Sequence, residues 1–368
     1  DNFGVLTADK LMITFLPEKS TYSLTFGKTK VETEVFVTNK GKRFIMNVTI
    51  ENFGDKDKEY QILKCGFPYL NELLMAPWDK PEWYTRTEYL KDKNAFLTTK
   101  YSVAGKKEER RYLTVVDSDK TEGRELSLER LTTATKNFSA IPDKIGDKTE
   151  DTLYAFKQCV SNLSSVTVKN GGKYSFTQVF SVTADDGKIT EEIEKSKVYF
   201  DEKNRKEEEK ILERKYAELF SVRTIKTDDR DFDKFINGFL PLEMYWVSSL
   251  DRGWPTGMRG VRDAANDFEG MLCYDKQMCQ DVIENIFSKQ RSDGWYPRQV
   301  PFGNGTKFDL REFVDSACFF TEYVYDYLAY TDDYSILEKE YPYYDSEKAE
   351  SGLEHLKKGL DYLISDDA

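Results

Sequence analysis

The stretch Gly253-Trp254-Pro255-Thr256-Gly257-Met258-Arg259-Gly260-Val261-Arg262-Asp263 sets two arginines, an aspartate, an indole and three glycines within eleven positions. Arginine and aspartate together grip hydroxyl groups and anions through charge-assisted, bidentate hydrogen bonds. Glycines let a backbone adopt positive φ or approach a ligand closely. Trp254 beside Pro255 supplies a stiff stacking surface. Asp267 follows four residues after Asp263, on the same face of the helical pattern that begins near Ala264. Two readings stay open on these residues alone. One is a loop for a polar ligand. The other is a salt-bridged helix start in which Asp263 is the cap.

A second group has the same character. Trp295, Tyr296, Arg298, Asp309, Arg311 and Asp315 fall within one Gly- and Pro-containing segment. Asp315 lies one turn inside a helical pattern rich in Phe and Tyr, where a carboxylate needs a partner. Arg311, four residues earlier, is the plain candidate for that partner.

Much other chemistry is excluded. His355 is the single histidine among 368 residues. It sits in a helical pattern and is expected at the helix surface or half-buried. One histidine cannot build a multi-histidine zinc site, and no Ser-His-Asp triad is placed near the centre of the chain. No phosphate-cradling Gly-Lys loop or dinucleotide fingerprint occurs. We therefore expect no metal and no cofactor. The five cysteines, Cys65, Cys159, Cys273, Cys279 and Cys318, form no CxxC and are odd in number. They read as buried free thiols in a reducing, cytoplasmic setting. A net charge of -12 without a basic block argues against nucleic acid as partner. No apolar run reaches the roughly 18 residues of a membrane span. The 23 Tyr and 24 Phe serve either as bulky core or as sugar-stacking surface.

The elements that must position these residues fall into three parts. Residues 1–188 read as an antiparallel β-sandwich, with alternating runs and turn signals at Asn39-Lys40-Gly41-Lys42 and at 169–173. In the run after the first turn, Phe44, Met46, Val48 and Ile50 share one face and Ile45, Asn47, Thr49 and Glu51 the other. Residues 189–227 carry alternating Glu and Lys at helical spacing and read as one or two linker helices. From 228 to 368 the pattern is helical, with an apolar set at Phe232, Phe235, Ile236 and Phe239. Long loops are expected at 251–262, 291–309 and 332–348, and loops of that length are usually functional. Helical pairs with such loops point to the first part of an (α/α)6 barrel. The first residue is not Met and the last segment is helical, so both ends read as cut from a longer chain.

Sandwich, linker helices and helical toroid in that order resemble the inverting glycoside phosphorylases of glycoside hydrolase family ninety-four. Three segments carry the resemblance. They are DRDFDKFINGFLPLEMYW with Asn237, GMRGVRDAANDFEGML, and DLREFVDSACFFTEYVYDYLAYTDDYSIL. The resemblance implies that Asp263 binds sugar hydroxyls beside the scissile bond and that Arg259 serves the same region. Arg262, Trp254, Asp267, Arg298 and Asp315 complete the candidate substrate-binding set. It also implies phosphorolysis of β-linked gluco-oligosaccharides, with β-1,2-glucan oligomers the expected class, inorganic phosphate the co-substrate and α-glucose 1-phosphate the product. Phosphate is already anionic, so no base is needed to activate it, whereas inverting hydrolases need a second carboxylate to activate water. The family's acid motif is absent here, so the proton donor is expected beyond Ala368 and no catalytic residue is assigned. A homodimer is also implied. A barrel glycoside hydrolase and a non-catalytic carbohydrate-binding or dimer-forming fragment are the competing readings.

Overall fold

The computed structural model describes residues 8–68, 85–101, 110–138, 141–142, 144–146, 158–249, 258–301, 309, 311 and 314–365. The chain divides into two compact units, with the boundary between Tyr216 and Ala217.

The first unit is built on strands β1 (Lys10–Phe15), β2 (Ser20–Phe26), β3 (Thr29–Val37), β4 (Arg43–Asn52), β5 (Lys58–Gly66), β6 (Thr85–Leu90), β7 (Ala95–Lys100), β8 (Arg111–Asp117), β9 (Gly123–Ser127), β10 (Gln158–Val168) and β11 (Lys173–Thr183). Eight of them form one antiparallel sheet in the order β1-β2-β3-β4-β11-β8-β7-β6, and β5-β10-β9 form a second. Asn39–Lys42 closes the β3–β4 hairpin, as its turn residues suggest. The turn at 169–173 does something else: it carries the chain from the small sheet to the large one, since β10 and β11 lie in different sheets.

The middle of the large sheet is covered on both faces, while β1 at its edge is exposed. Phe36, Ile45, Val179, Val116 and Ala95 stand in register across five strands. All five are buried. Helix α2 (Ile189–Lys197) packs on β8 and β11, and its Glu192 pairs with Arg43 and accepts from Ser181. The other face meets the small sheet through Tyr89, Phe96, Val115, Leu126 and Val160. Both faces of β4 therefore carry buried residues, Ile45 and Asn47 on one and Ile50 and Asn52 on the other, while Phe44 on the expected apolar face is exposed.

A polar knot lies between the sheets. Lys64 of β5 donates to Asp117 and Asp119, each at 2.8 Å. Asn162 of β10 and Gln178 of β11 also donate to Asp117, at 3.0 and 2.9 Å, and Ser164 donates to Asp119 at 2.8 Å. The Lys64 ammonium stands 4.2 Å from the Phe176 ring centroid. Removing one partner from a buried, satisfied ion pair costs about 3–5 kcal/mol, so this knot fixes how the sheets meet.

Helix α3 (Glu202–Ser221) follows α2. Lys19 bonds Glu209, and the Asn39 amide donates to Glu208, so α3 is fastened to the strands rather than acting as a bare linker.

The second unit is helical. It comprises α4 (Arg230–Lys234), a π-helical turn (Phe235–Phe239), α5 (Leu240–Ser249), β12 (Met258–Gly260), α6 (Val261–Glu269), α7 (Lys276–Phe287), β13 (Gln299–Pro301), α8 (Ser316–Thr331), α9 (Ser335–Glu338), β14 (Glu340–Pro342), β15 (Ala349–Ser351) and α10 (Gly352–Ile364). Two expected loops are therefore shorter than the sequence suggests. Residues 332–348 contain α9 and β14, and the 251–262 loop ends in a strand and the start of α6. Its core joins Phe268, Ile283, Phe287, Phe320, Tyr323 and Tyr327, so much of the aromatic surplus is core filling. Phe232, Phe235 and Phe239 differ: they are 45%, 46% and 55% exposed. Helix α5 packs Met244 and Tyr245 onto the core, which leaves this stripe on its flank. Among the described residues, no helix is long and apolar enough to cross a membrane. Of the cysteines, Cys65 and Cys318 are exposed, contrary to the expected burial, because each lies on an outward face of its element.

His355 is fully buried, not at the helix surface as its pattern suggests. Its Nε2 meets the Tyr341 carbonyl at 3.0 Å, its ring stacks on Tyr343 at 4.2 Å, and its Nδ1 has no partner. Burial holds its pKa below the ordinary value; Glu350 and Lys358 act on it with opposite signs. The unfolded chain takes up this proton near about pH 6.5 and the folded chain only at lower pH. Stability is thus fully present above about pH 6.5 and falls as the pH drops toward the folded value. We expect the urea midpoint to decline between about pH 7.5 and about pH 5.5, and His355→Gln to flatten that decline. An equal slope in the variant would show that other groups carry the effect.

Candidate functional site

The polar cluster is assembled by one short pairing. Arg259 of β12 faces Val300 of β13, and Gly260 faces Gln299. The Val261 amide donates to the Arg298 carbonyl at 3.1 Å, and the Ser316 hydroxyl to the Pro297 carbonyl at 3.4 Å. Segment 297–301 therefore joins the first turn of α6 to the first turn of α8. The two sequence groups, far apart along the chain, start their helices side by side.

Asp263 is not the cap of α6. Gly260 holds that place, and Asp263 sits in the first turn, half-buried. Its carboxylate lies back over the cap, where a Cβ on Gly260 would come within 2.4 Å of Asp263 Oδ2. Gly260 has φ −58°, so close approach and not positive φ is what requires glycine here. An acid in the first turn is favoured by the helix dipole.

Arg262, next to Asp263, crosses to α8 and bonds Asp315 at 2.8 Å. Asp315 is thus the cap residue of α8, not a residue one turn inside it, and its partner is not Arg311. Arg311 turns to Asp309, with Nε at 3.0 Å from Oδ1. That guanidinium holds the Asp309 carboxyl below its ordinary pKa. Arg298 approaches the same Asp309 at 3.8 Å. Asp315 Oδ1 is buried without a protein partner.

Arg259 behaves differently from Arg262. It is 4% exposed. It donates to the Val247 and Ser248 carbonyls, at 2.7 and 3.2 Å, and faces Asp267 at 3.7 Å. Those carbonyls belong to the last turn of α5, where four acceptors lack helical partners. Its guanidinium also lies 5.5 Å from the Phe268 ring. Arg259 and Asp267 are an internal tie between α5 and α6. A cavity of about 660 Å³ opens beside them, between α5 and α7, with Arg259, Ser249, Asp281 and Asn285 in its wall. Arg262, Asp263, Arg298 and Asp315 do not line it.

Trp254 lies outside the described residues, as do Gly253 and Gly257. Trp295 and Tyr296 are buried, with the Tyr296 ring against Phe320 and its hydroxyl donating to the His355 carbonyl, rather than open to a ligand. The turn before them is sharp: Gly294 has φ +105°, and a Cβ there would meet the Lys358 carbonyl at 2.2 Å. Asn237 brackets the Ile225 backbone with both ends of its amide, at 2.8 and 2.7 Å. Sequence reasoning gave no sign of the Arg262–Asp315 contact, because its partners are 53 residues apart. Among the described residues, no group of three His, Cys, Asp or Glu side chains is placed to hold a metal ion.

No family model matches the chain. No curated protein sequence matches it either. Solved structures do. A protein described as a kojibiose phosphorylase, from human microbiome, has a TM-score of 0.56 at 10% identity, covering 93% of this chain and 44% of its own. A bacterial glucoamylase complexed with acarbose has a TM-score of 0.58 at 11% identity, covering 90% of this chain and 48% of its own. At such identities the likeness is one of fold. The chain spans less than half the length of both proteins.

The internal role of Arg259 is open to test. Arg259→Met should lower unfolding free energy by about 3–5 kcal/mol, because it removes the cation that faces a buried carboxylate and the donor to two helix-end carbonyls. Arg259→Lys, with charge but no fork, should recover only part of that. Urea unfolding measures both. A fully stable Arg259→Met protein would release Arg259 from this role.

Proposed function

We propose that the protein acts as an inverting glycoside phosphorylase on β-linked gluco-oligosaccharides, with β-1,2-glucan oligomers as the class. The observation that carries the reading is the cluster of Asp263, Arg262, Arg298 and Asp315 at the shared start of α6 and α8. Such a set offers a carboxylate for sugar hydroxyls and guanidinium groups for anionic or hydroxyl oxygens. The two-unit fold, shared with a phosphorylase and a glucoamylase, supports a carbohydrate-active role. We read the sheets as a β-sandwich and the helical unit as the first part of an (α/α)6 barrel. The exposed stripe of Phe232, Phe235 and Phe239 supports that, since a closed ring of helices would cover it.

In the proposed reaction a carboxylic acid protonates the leaving glycosidic oxygen while phosphate attacks from the opposite face of the ring. Asp263 orients the sugar by its hydroxyls. Arg262 and Arg298 supply positive charge near the attacking anion or the ring substituents. None of these residues is assigned the proton transfer. The same reading makes the protein a cytoplasmic homodimer.

Hydrolysis is the second reading, favoured by the likeness to a glucoamylase. Phosphate separates the two. Incubated with β-1,2-gluco-oligosaccharides, the full-length protein should form α-glucose 1-phosphate only when phosphate is present. Asp263→Asn should lower kcat/KM at least tenfold, about 1.4 kcal/mol of transition-state binding, while leaving the unfolding midpoint in place. Glucose released without phosphate would establish a hydrolase. Oligosaccharide bound but not cleaved would establish a binding role.

A further inference from the structure

The small sheet brings two thiols together. Cys65 on β5 stands opposite Ser161 on β10. Cys159 is two residues before Ser161, so its side chain leaves the same face, diagonal to Cys65. Cys159 is the group that holds the Cys65 thiol below its ordinary pKa. Cys65 is exposed and Cys159 is buried. Cys159 is held in place, with its sulfur 3.4 Å from the Glu125 carbonyl and 3.9 Å from the Ser161 hydroxyl.

We propose that Cys65 and Cys159 form a reversible disulfide that staples β5 to β10. Diagonal neighbours in an ideal antiparallel pair stand about 7–8 Å apart, slightly beyond the roughly 4.4–6.8 Å a disulfide spans between Cα atoms. The strand here is not ideal. β10 shifts register against β9 between Gln158 and Ser161, a span that contains Cys159. A bulge of this kind bends its strand and re-aims a side chain. A small local slide is all the bond requires.

The chemistry balances with a disulfide oxidant such as oxidised glutathione. The Cys65 thiolate attacks one glutathione sulfur, forming a mixed disulfide and releasing one glutathione thiolate. Cys159 then attacks the Cys65 sulfur, and the second glutathione thiolate leaves with the Cys159 proton. Two protein thiols are oxidised and one glutathione disulfide is reduced to two thiols. The order follows from the surroundings. Cys65 is exposed, and Cys159 beside it favours the thiolate. Cys159 is the slow resolving thiol, since Cys65 and burial push its pKa up. The closed loop, running from 66 to 158, restricts the unfolded chain and so raises stability.

The test uses the reduced protein and oxidised glutathione under native conditions, with peptide mapping without reduction. We expect one linked peptide pair joining Cys65 to Cys159, lighter by two hydrogens, and its loss in Cys65→Ser and in Cys159→Ser. The unfolding midpoint in urea should rise on oxidation and return on adding dithiothreitol. Cys318, exposed on α8, reports that the oxidant is active by taking a glutathione adduct. Glutathione retained on Cys65 with Cys159 still free would overturn the proposal. So would an unmodified Cys65 beside a modified Cys318.

Discussion

The pairing of Met258–Gly260 with Gln299–Pro301 is the constraint on which the polar cluster depends. Three residues on each side are too few to be stable alone. They hold because the side chain of Arg259 reaches down from this pair into the end of α5 and toward Asp267. A guanidinium is suited to that place: its fork satisfies two orphan carbonyls at once and its charge opposes the helix dipole. With Arg259 seated, Val261 begins α6 on the Arg298 carbonyl, and Ser316 begins α8 on the Pro297 carbonyl. The position of Asp263 and Asp315 is a consequence of that chain of contacts.

The β unit solves a similar problem in another way. Two sheets meeting through apolar side chains alone can slide, because dispersion and burial are not directional. The Lys64, Asp117 and Asp119 knot is directional, and it takes donors from β5, β10 and β11. Asp119 stays below its ordinary pKa: burial opposes ionisation, but the bonds from Lys64, Tyr174 and Ser164 outweigh it. The geometry of the knot selects one relative placement of the sheets.

What the sequence revealed follows the range of each interaction. Alternation and turn residues located the β3–β4 hairpin, and charge spacing located α2 and α3, because those signals are local. Pairings between sheets are not local, so the burial of Ile45 over Phe44 could not be read from one strand. The candidate site divides the same way. Arg259, Arg262, Asp263 and Asp315 could be picked out by type and spacing. Their partners could not: sequence spacing pairs Asp315 with Arg311, four residues away, while the fold supplies Arg262. His355 shows the limit of helical periodicity, since β14 covers a position that the helix pattern leaves ambiguous.

Magnitudes separate the two arginines of the Val261 turn. The Arg259 and Asp267 side chains are each 3% exposed. Breaking such a pair leaves a buried charge, at a cost of several kcal/mol. The Arg262 and Asp315 side chains are 43% and 30% exposed. A pair that open to water contributes about 0–1 kcal/mol, and the fold loses little if it is exchanged for another partner. Asp315 keeps one carboxylate oxygen without a protein partner even while paired. A ligand hydroxyl or anion can therefore compete for Arg262 and Asp315 at small cost, whereas it cannot compete for Arg259. Under the proposed function, binding chemistry at this turn falls to the exposed pair and to Asp263 beside it, with Arg259 as the fixed anchor that aims them.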